Sequence, residues 1–391
     1  MPQTSPISDP GSPIGISAVA IHQPSWSLGN DWFEGTIPRK FVHHTGIRAR
    51  PISEEDEITM AVRVAERLQV ETGCDWEHCA GVVFASPSFI PRSVAEQYLH
   101  GARLRREKLK RAARRFAQRM LLPASPIYAI NWFCSGYSKA LEIVQRKIVP
   151  AVNLTPDQFI LVINTNRISR ITDFSCQQTS ALFGDMATAT LIARDDSVRY
   201  PTHFSLVHAR AIKRPTDGAF FNFHLRENLP IPQKNGGRAV VPERLVFSLD
   251  GMGVADTAPR AMAEEIQAAL LAANIPVDQV RFVVPHQAGA GIVRLATMKI
   301  EALGVQGEVI NGLTAEIGNV SSCSIPFALR SQWDRLEGLI ACPTAAVGRP
   351  GVAEMSQGCI LLQSTPYHTQ QMSQQEPASA VLAADKTPVA G

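Results

Sequence analysis

Cys134, His286 and Asn319 are the residues of this 391-residue chain whose types and settings suit chemistry. Cys134 lies within Asn131-Trp-Phe-Cys134-Ser-Gly-Tyr137. Ahead of it the apolar run Pro126-Ile-Tyr-Ala-Ile130 reads as a strand, and behind it Tyr137, Leu141, Val144 and Ile148 recur at helical spacing until Pro150. A cysteine at the start of a helix faces unpaired N–H groups and the positive end of the dipole. Both favour the thiolate, which is the nucleophilic form. His286 closes a predicted strand over 279–286, and Asn319 opens the stretch Asn319-Val-Ser-Ser-Cys-Ser-Ile-Pro326, which leads into a helix through Leu336. Together they offer one nucleophile and two side chains able to donate hydrogen bonds to a developing oxyanion. Each also has a plainer role available: a thiol that only packs, a satisfied core histidine, a helix-capping asparagine.

These residues share a context, because each falls at or just after a predicted strand end, where open α/β sheets build their sites. Continuous apolar runs over 15–21, 80–85, 158–164 and 187–193 read as strands of a buried sheet, and Ser53-Glu-Glu-Asp56 offers an N-cap with first-turn acids to a helix that turns Ile58, Val62, Ala65 and Leu68 inward. The rhythm restarts at 204–208. A helix carrying Met262, Ile266 and Leu270, the strand over 279–286, and strands over 340–347 and 357–362 follow. Residues 41–50 read as a polar loop, and 225–245, rich in Pro, Gly and Asn, as a loop or excursion. The expected organisation is an α/β chain in two halves, 14–200 and 201–364, with a disordered leader over 1–13 and a disordered polar tail over 365–391.

Bulk properties narrow the class. A 45% hydrophobic, 19% charged composition is that of a globular protein, and no apolar run is long enough to span a bilayer. Seven scattered cysteines and a leader with no basic-then-apolar pattern fit a reduced, cytoplasmic protein. Cys74-Asp-Trp-Glu-His78-Cys79 lacks a second ligand pair at zinc spacing, so no metal is expected there. The net charge of +3 is unevenly spread: residues 101–120 hold nine basic side chains against one acid, Glu107, which leaves the rest of the chain acidic. Leu104, Leu109, Ala112, Ala113 and Phe116 give this segment an apolar face, so it reads as a helix with a solvated basic side. No aromatic residues alternate with the charges as a nucleic-acid groove requires.

Thr45-Gly-Ile-Arg48, Cys134-Ser-Gly136, Leu182-Phe-Gly-Asp185, Pro285-His-Gln-Ala288 and Gly318-Asn-Val-Ser-Ser322, in that order and spacing, give the chain over about 15–363 a resemblance to the β-ketoacyl-acyl-carrier-protein synthase III family of the thiolase superfamily. The resemblance implies a thiolase fold, a duplicated five-layer α-β-α-β-α architecture, and a homodimer. It implies that Cys134, His286 and Asn319 match the family's catalytic residues, and that no metal or cofactor takes part. The partners it implies are an acyl-CoA or acyl-carrier-protein donor, a malonyl thioester and the acyl carrier protein itself. A decarboxylative condensation fits these residue types. Cys134 would take an acyl group, with an oxyanion hole formed by its own N–H and a second N–H near Gly351 to Gly358, while His286 and Asn319 would stabilise the malonyl-derived enolate.

Further site residues follow the same resemblance. Arg170 matches a nucleotide-contact arginine, and Arg48, Gln287, Phe133 and Gly351 fall at expected substrate-binding positions. Several positions depart from the family pattern. Gly289 stands where the family continues with asparagine, the nearby carrier-protein arginine is absent, and Arg294 lies one turn further on. Lys40 and His44 replace a tryptophan and an arginine, Phe133 replaces a small residue, and Arg349-Pro350 interrupts a glycine-rich turn. The basic segment resembles an insertion. Arg111, Arg114 and Arg115, with Arg294, are the expected contacts for an acidic carrier protein. Two alternatives stand beside this function: acyl transfer from Cys134 to an alcohol or amine, which retains the three residues, and a non-catalytic subunit of a larger synthase, against which the intact Cys134, His286 and Asn319 speak.

Overall fold

The structure, a computed structural model, describes residues 13–88, 94–123 and 125–375. The expected leader, apart from its last residue, and the tail beyond 375 lie outside the described residues. The first half supplies strands β1 (Ile14–His22), β2 (Ser27–Gly29), β3 (Ala49–Pro51), β4 (Cys79–Ala85), β5 (Ile127–Ile130), β6 (Phe159–Asn166) and β7 (Met186–Arg194). The second supplies β8 (Phe204–Pro215), β9 (Phe221–Pro232), β10 (Arg238–Leu249), β11 (Val280–Val283), β12 (Glu308–Val309), β13 (Leu339–Val347) and β14 (Glu354–Ser364). The helices are α1 (Phe41–Thr45), α2 (Glu57–Thr72), α3 (Val94–Arg119), α4 (Gly136–Ile143), α5 (Val149–Val152), α6 (Gly251–Ala273), α7 (Ala290–Glu301), α8 (Ser324–Ser331) and α9 (Pro366–Gln375).

The strand order is β12-β11-β13-β14-β8-β1-β7-β6-β4-β5. Read outward from the β1–β8 junction, the two wings have the same plan: two antiparallel pairings, then two parallel ones. The junction itself is slight, with only Gly15↔Ser205 and Ile16↔Phe204 in register. Each wing is a sheet covered on both faces, so β6 and β7 read as near-continuous apolar runs and are buried almost throughout. A central core joins α4 and α8 to both wings through Leu141, Val144, Ile325 and Leu329. Outer cores place α2 and α3 on the first wing and α6 and α7 on the second. This is the duplicated five-layer thiolase architecture. Among the described residues no helix is long and apolar enough to cross a membrane.

Four local expectations change. The excursion over 225–245 is an antiparallel ribbon of β9 and β10, in which alternating Phe221 and Phe223 face inward, paired across the ribbon with Leu249 and Phe247. The loop over 41–50 contains α1 and runs into β3. The helix after Cys134 passes Pro150 by way of a wider turn over 144–148 and stops at Asn153, whose φ is +48°. Finally, the tail does not become irregular at 365, because Pro366–Gln375 form α9. Buried His368 ties it down, donating from Nε2 to the Leu336 carbonyl at 2.8 Å and packing on Phe204.

The basic segment is helical, as its periodicity implies. Leu109, Ala112, Ala113 and Phe116 are buried, while Arg106, Arg111, Arg114 and Arg115 are exposed. Phe116 is fully buried with its ring 5.7 Å from that of Phe84 on β4, so α3 is part of the outer layer that covers the sheet. Phe116→Ala leaves a cavity there and is expected to cost about 3–5 kcal/mol of stability. Urea unfolding of the variant measures it.

Candidate active site

The duplication sets two equivalent turns against each other. After β5 the chain makes a single 3₁₀ turn, Phe133–Ser135, that leads directly into α4. In the second half Ser321–Cys323 form the same turn before α8. The first residue of each turn has positive φ, +45° at Phe133 and +51° at Ser321, a conformation uncommon outside glycine. The turns touch: a Cβ on Gly136 would meet the Cβ of Ser322 at 2.9 Å. The Ser135 hydroxyl anchors the nucleophile turn to β14 by donating to the Ser356 carbonyl at 3.1 Å.

Asn319 is carried by a loop stitched to the other half. Its N–H donates to Leu182 O at 2.9 Å, and its carbonyl accepts from Gly184 N–H at 3.2 Å. Gly184 has to be glycine here, since a Cβ would lie 2.1 Å from the Ile317 carbonyl. Asn319 Oδ1 accepts from the Ser321 N–H at 2.9 Å. The capping role and the site role are therefore compatible, because the Nδ2 hydrogens stay available as donors. His286 lies three residues beyond β11, held through its N–H to Pro343 O at 2.9 Å. It is buried, and its Nδ1 has no hydrogen-bond partner among the described residues.

Cys134, His286 and Asn319 line one cavity of about 860 Å³. Apolar side chains make most of its wall, and Phe133, Ile168, Phe183, Phe221 and Phe247 form a connected aromatic and aliphatic lining. The Phe133 and Phe221 ring centroids are 4.9 Å apart. At the mouth stand His44 from α1, exposed Met252 at the start of α6, and exposed Arg294 and Leu295 on α7.

Burial decides the protonation states. The Cys134 thiol is pushed up to about 11 by removal from water, with a hydrogen bond from Ser321 acting in the opposite direction. The expected thiolate stabilisation at the helix start is therefore outweighed by desolvation. His286 is pulled down to about 3 by burial alone, so its imidazole is neutral at physiological pH and carries one N–H to donate. Cys134 ionises only at high pH, which gives the sign of the pH dependence. Acyl loading is expected to rise about tenfold per pH unit through the range 7 to 10. Ser321→Ala removes a donor to the sulfur and is expected to slow loading about tenfold at neutral pH while shifting the profile further upward. A stopped-flow loading assay across that range reads both effects.

Of the expected substrate contacts, Phe133 lines the cavity and four others do not. Arg48 is exposed and pairs with Glu316 at 3.0 Å. Arg170 turns to buried Glu57 at 3.6 Å. Gln287 is buried and donates from Nε2 to the carbonyls of Pro285 and Ile310, so it braces the His286 loop. Gly351 donates its N–H to Phe221 O at 2.8 Å and braces the wall, and the N–H groups of Val352 and Glu354 are likewise engaged, so these three offer no oxyanion donor. Arg111, Arg114 and Arg115 are exposed on α3, and Arg294 is exposed at the mouth. Sequence reasoning missed Ser321 and the ribbon phenylalanines. Alternation across Phe221-Asn-Phe223 was the available signal for the latter.

A family profile described as 3-oxoacyl-[acyl-carrier-protein (ACP)] synthase III matches residues 128–208, the segment that includes Cys134. The β-ketoacyl-[acyl-carrier-protein] synthase III of Clostridium beijerinckii is 24% identical over 332 residues, covering 83% of this chain and 91% of the relative. A Bacillus anthracis β-ketoacyl-[acyl-carrier-protein] synthase III 2 is 26% identical over 324 residues, covering 80% and 87%. Among solved structures, the 3-oxoacyl-(acyl carrier protein) synthase III of Pseudomonas aeruginosa PAO1 superposes with a TM-score of 0.64 at 20% identity, over 90% of this chain and 100% of that one, a likeness of fold.

Proposed function

Since the chain is homologous to the β-ketoacyl-acyl-carrier-protein synthase III family of thiolase-type condensing enzymes, we propose that it is a decarboxylating ketosynthase with Cys134 as its acyl carrier. The observation that carries this reading is the convergence of Cys134, His286 and Asn319 on one largely apolar cavity. The Cys134 sulfur attacks the carbonyl of an acyl thioester on coenzyme A or a carrier protein. A carbon–sulfur bond forms, the bond to the donor sulfur breaks, and the thiol proton leaves with that sulfur. A malonyl thioester then loses carbon dioxide. The neutral His286 N–H and the Asn319 amide donate to the enolate oxygen as charge develops there. The enolate carbon attacks the acyl-enzyme, Cys134 leaves as thiolate and is reprotonated, and a β-ketoacyl thioester is released. No step calls for a metal or redox cofactor.

The cavity wall suits an apolar acyl chain, which fits fatty-acid or specialised acyl and polyketide synthesis. Intact-mass measurement after incubation with a panel of acyl thioesters tests the reading. An acyl adduct that is absent in Cys134→Ala supports it, and failure of every thioester to load removes it. We place the protein in the cytoplasm, where seven cysteines without a disulfide are at home. A homodimer fits β5, an apolar edge strand with all four residues half-buried, since such edges template pairing with a second copy.

The exposed cations of α3 favour docking of an acidic carrier protein. Reversing the charge of Arg111, Arg114 and Arg115 together is expected to raise KM for a carrier-bound substrate about tenfold or more at low salt, with turnover of the matching coenzyme A thioester unchanged. Steady-state kinetics on both substrates checks it, and equal effects on the two would remove the docking role.

A further inference from the structure

A second pocket, of about 310 Å³, lies behind the nucleophile turn, and Phe133 and Val347 line both it and the Cys134 cavity. Its floor is apolar, built by Leu109 of α3, Ile130 of β5, Phe223 of β9 and the shared Phe133. Its rim is cationic, with Arg106 and Lys110 from α3, Lys213 from β8 and Arg349 from the turn between β13 and β14. Lys213 and Arg349 share one carboxylate, Glu354, at 2.8 and 2.9 Å, and Lys110 pairs with Glu107 at 3.0 Å. Four cations thus face two carboxylates. Lys213 also lies over the Trp132 ring at 5.5 Å, next to the nucleophile turn.

A pocket of this volume, equal to about ten waters, holds a carboxylate and several methylenes. An apolar floor beneath a surplus of positive charge selects a ligand with an apolar stem and an anionic end. The position of the pocket says where the stem comes from, because the Phe133 ring is the partition between this floor and the cavity of Cys134. Phe133 has a φ of +45°, and its ring packs edge-on against Phe221 on the cavity side.

We propose that this pocket receives the far-end carboxylate of an acyl chain carried on Cys134, so that the enzyme accepts monothioesters of dicarboxylic acids, with Phe133 as the gate. The inference rests on the reading of Cys134 as the acyl carrier. A homologous series of dicarboxylic acyl-CoA monothioesters and their monocarboxylic counterparts of equal length provides the test, with loading on the full-length protein followed by intact mass and kcat/KM. The expected result is a wild-type preference for the dicarboxylic member at one chain length. That preference should fall about tenfold in Arg106→Gln/Lys110→Gln, a double change at exposed helix positions, and should move to bulkier chains in Phe133→Ala. Loading of monocarboxylic chains alone, or a preference unaltered by the double change, overturns the inference and leaves Cys134 as the acyl carrier. Absence of loading by either series overturns both.

Discussion

Replacing Cys134 with alanine is expected to lower acyl loading by about 10⁴-fold or more, since it removes the atom that bonds the acyl carbon. The variant should fold normally, because Cys134 is half-buried at a cavity wall and the change removes one sulfur atom with its hydrogen bond from Ser321. Intact mass should show no adduct, while equilibrium unfolding should fall within about 1 kcal/mol of the wild type, as expected for a small change at a cavity wall. Retained loading with Cys134 absent would move the acyl group to another of the seven cysteines. Five of those are buried in the core, with thiols whose burial pushes them well up, as at Cys79 and Cys323, both raised to about 12. The structure therefore singles out Cys134 by access to the cavity and by the Ser321 hydrogen bond, and not by an unusually acidic thiol.

Removal of the His286 imidazole should separate the two half-reactions. His286→Ala is expected to leave acyl loading within a few-fold of wild type and to slow malonyl decarboxylation by about 10²- to 10³-fold, the usual consequence of deleting one oxyanion donor. The pH dependence follows from the direction of its shift. Burial lowers the imidazole to about 3, so the neutral donor is already fully formed at pH 5 and above, and decarboxylation should be flat on its account from pH 5 to 8. The same shift destabilises the fold as pH falls from 6.5 toward 3, because over that interval the unfolded imidazole takes a proton that the folded one does not. Carbon dioxide release from malonyl-CoA, followed in parallel with acyl loading, reads the split. Equal losses in both steps would mean that His286 serves only to hold the nucleophile turn.

The sheet and the three central residues were legible because each signal is carried by the local chain. Strands such as β6 and β7 are continuous apolar runs, and Cys134 and His286 each stand just past a strand end, whereas Asn319, expected at one, comes on a loop ten residues beyond β12 that backbone bonds to Leu182 and Gly184 bring to the same cavity. Side-chain direction was not legible. Gln287 adjoins His286 in sequence, but its amide satisfies the carbonyls of Pro285 and Ile310, which the sequence cannot show to be otherwise unpaired. Arg48 and Arg170 find Glu316 and Glu57, each more than a hundred residues away, and long-range ion pairs leave no local mark.

The ribbon of β9 and β10 was hidden by its own Pro, Gly and Asn residues, because turn-forming composition masks the alternation that places Phe221 and Phe247 in the wall. Helix α9 was missed for the opposite reason. It is polar along most of its length and is ordered by a few contacts of His368 with Leu336, His203 and Phe204. The role of Ser321 was not legible because it depends on a positive φ and on the apposition of two turns 188 residues apart in the chain, which only the duplicated fold creates.

The central claim is that an acyl group on Cys134 becomes the electrophile of a carbon–carbon bond-forming step. Isolating the acyl-enzyme formed with a coenzyme A thioester and then adding a malonyl thioester tests it most directly, with the protein mass and the small-molecule products followed together. The account predicts loss of the adduct mass, one equivalent of carbon dioxide, and a β-ketoacyl thioester two carbons longer than the acyl group loaded. An acyl-enzyme that is stable to malonyl thioester and discharges instead to an added alcohol or amine would contradict it.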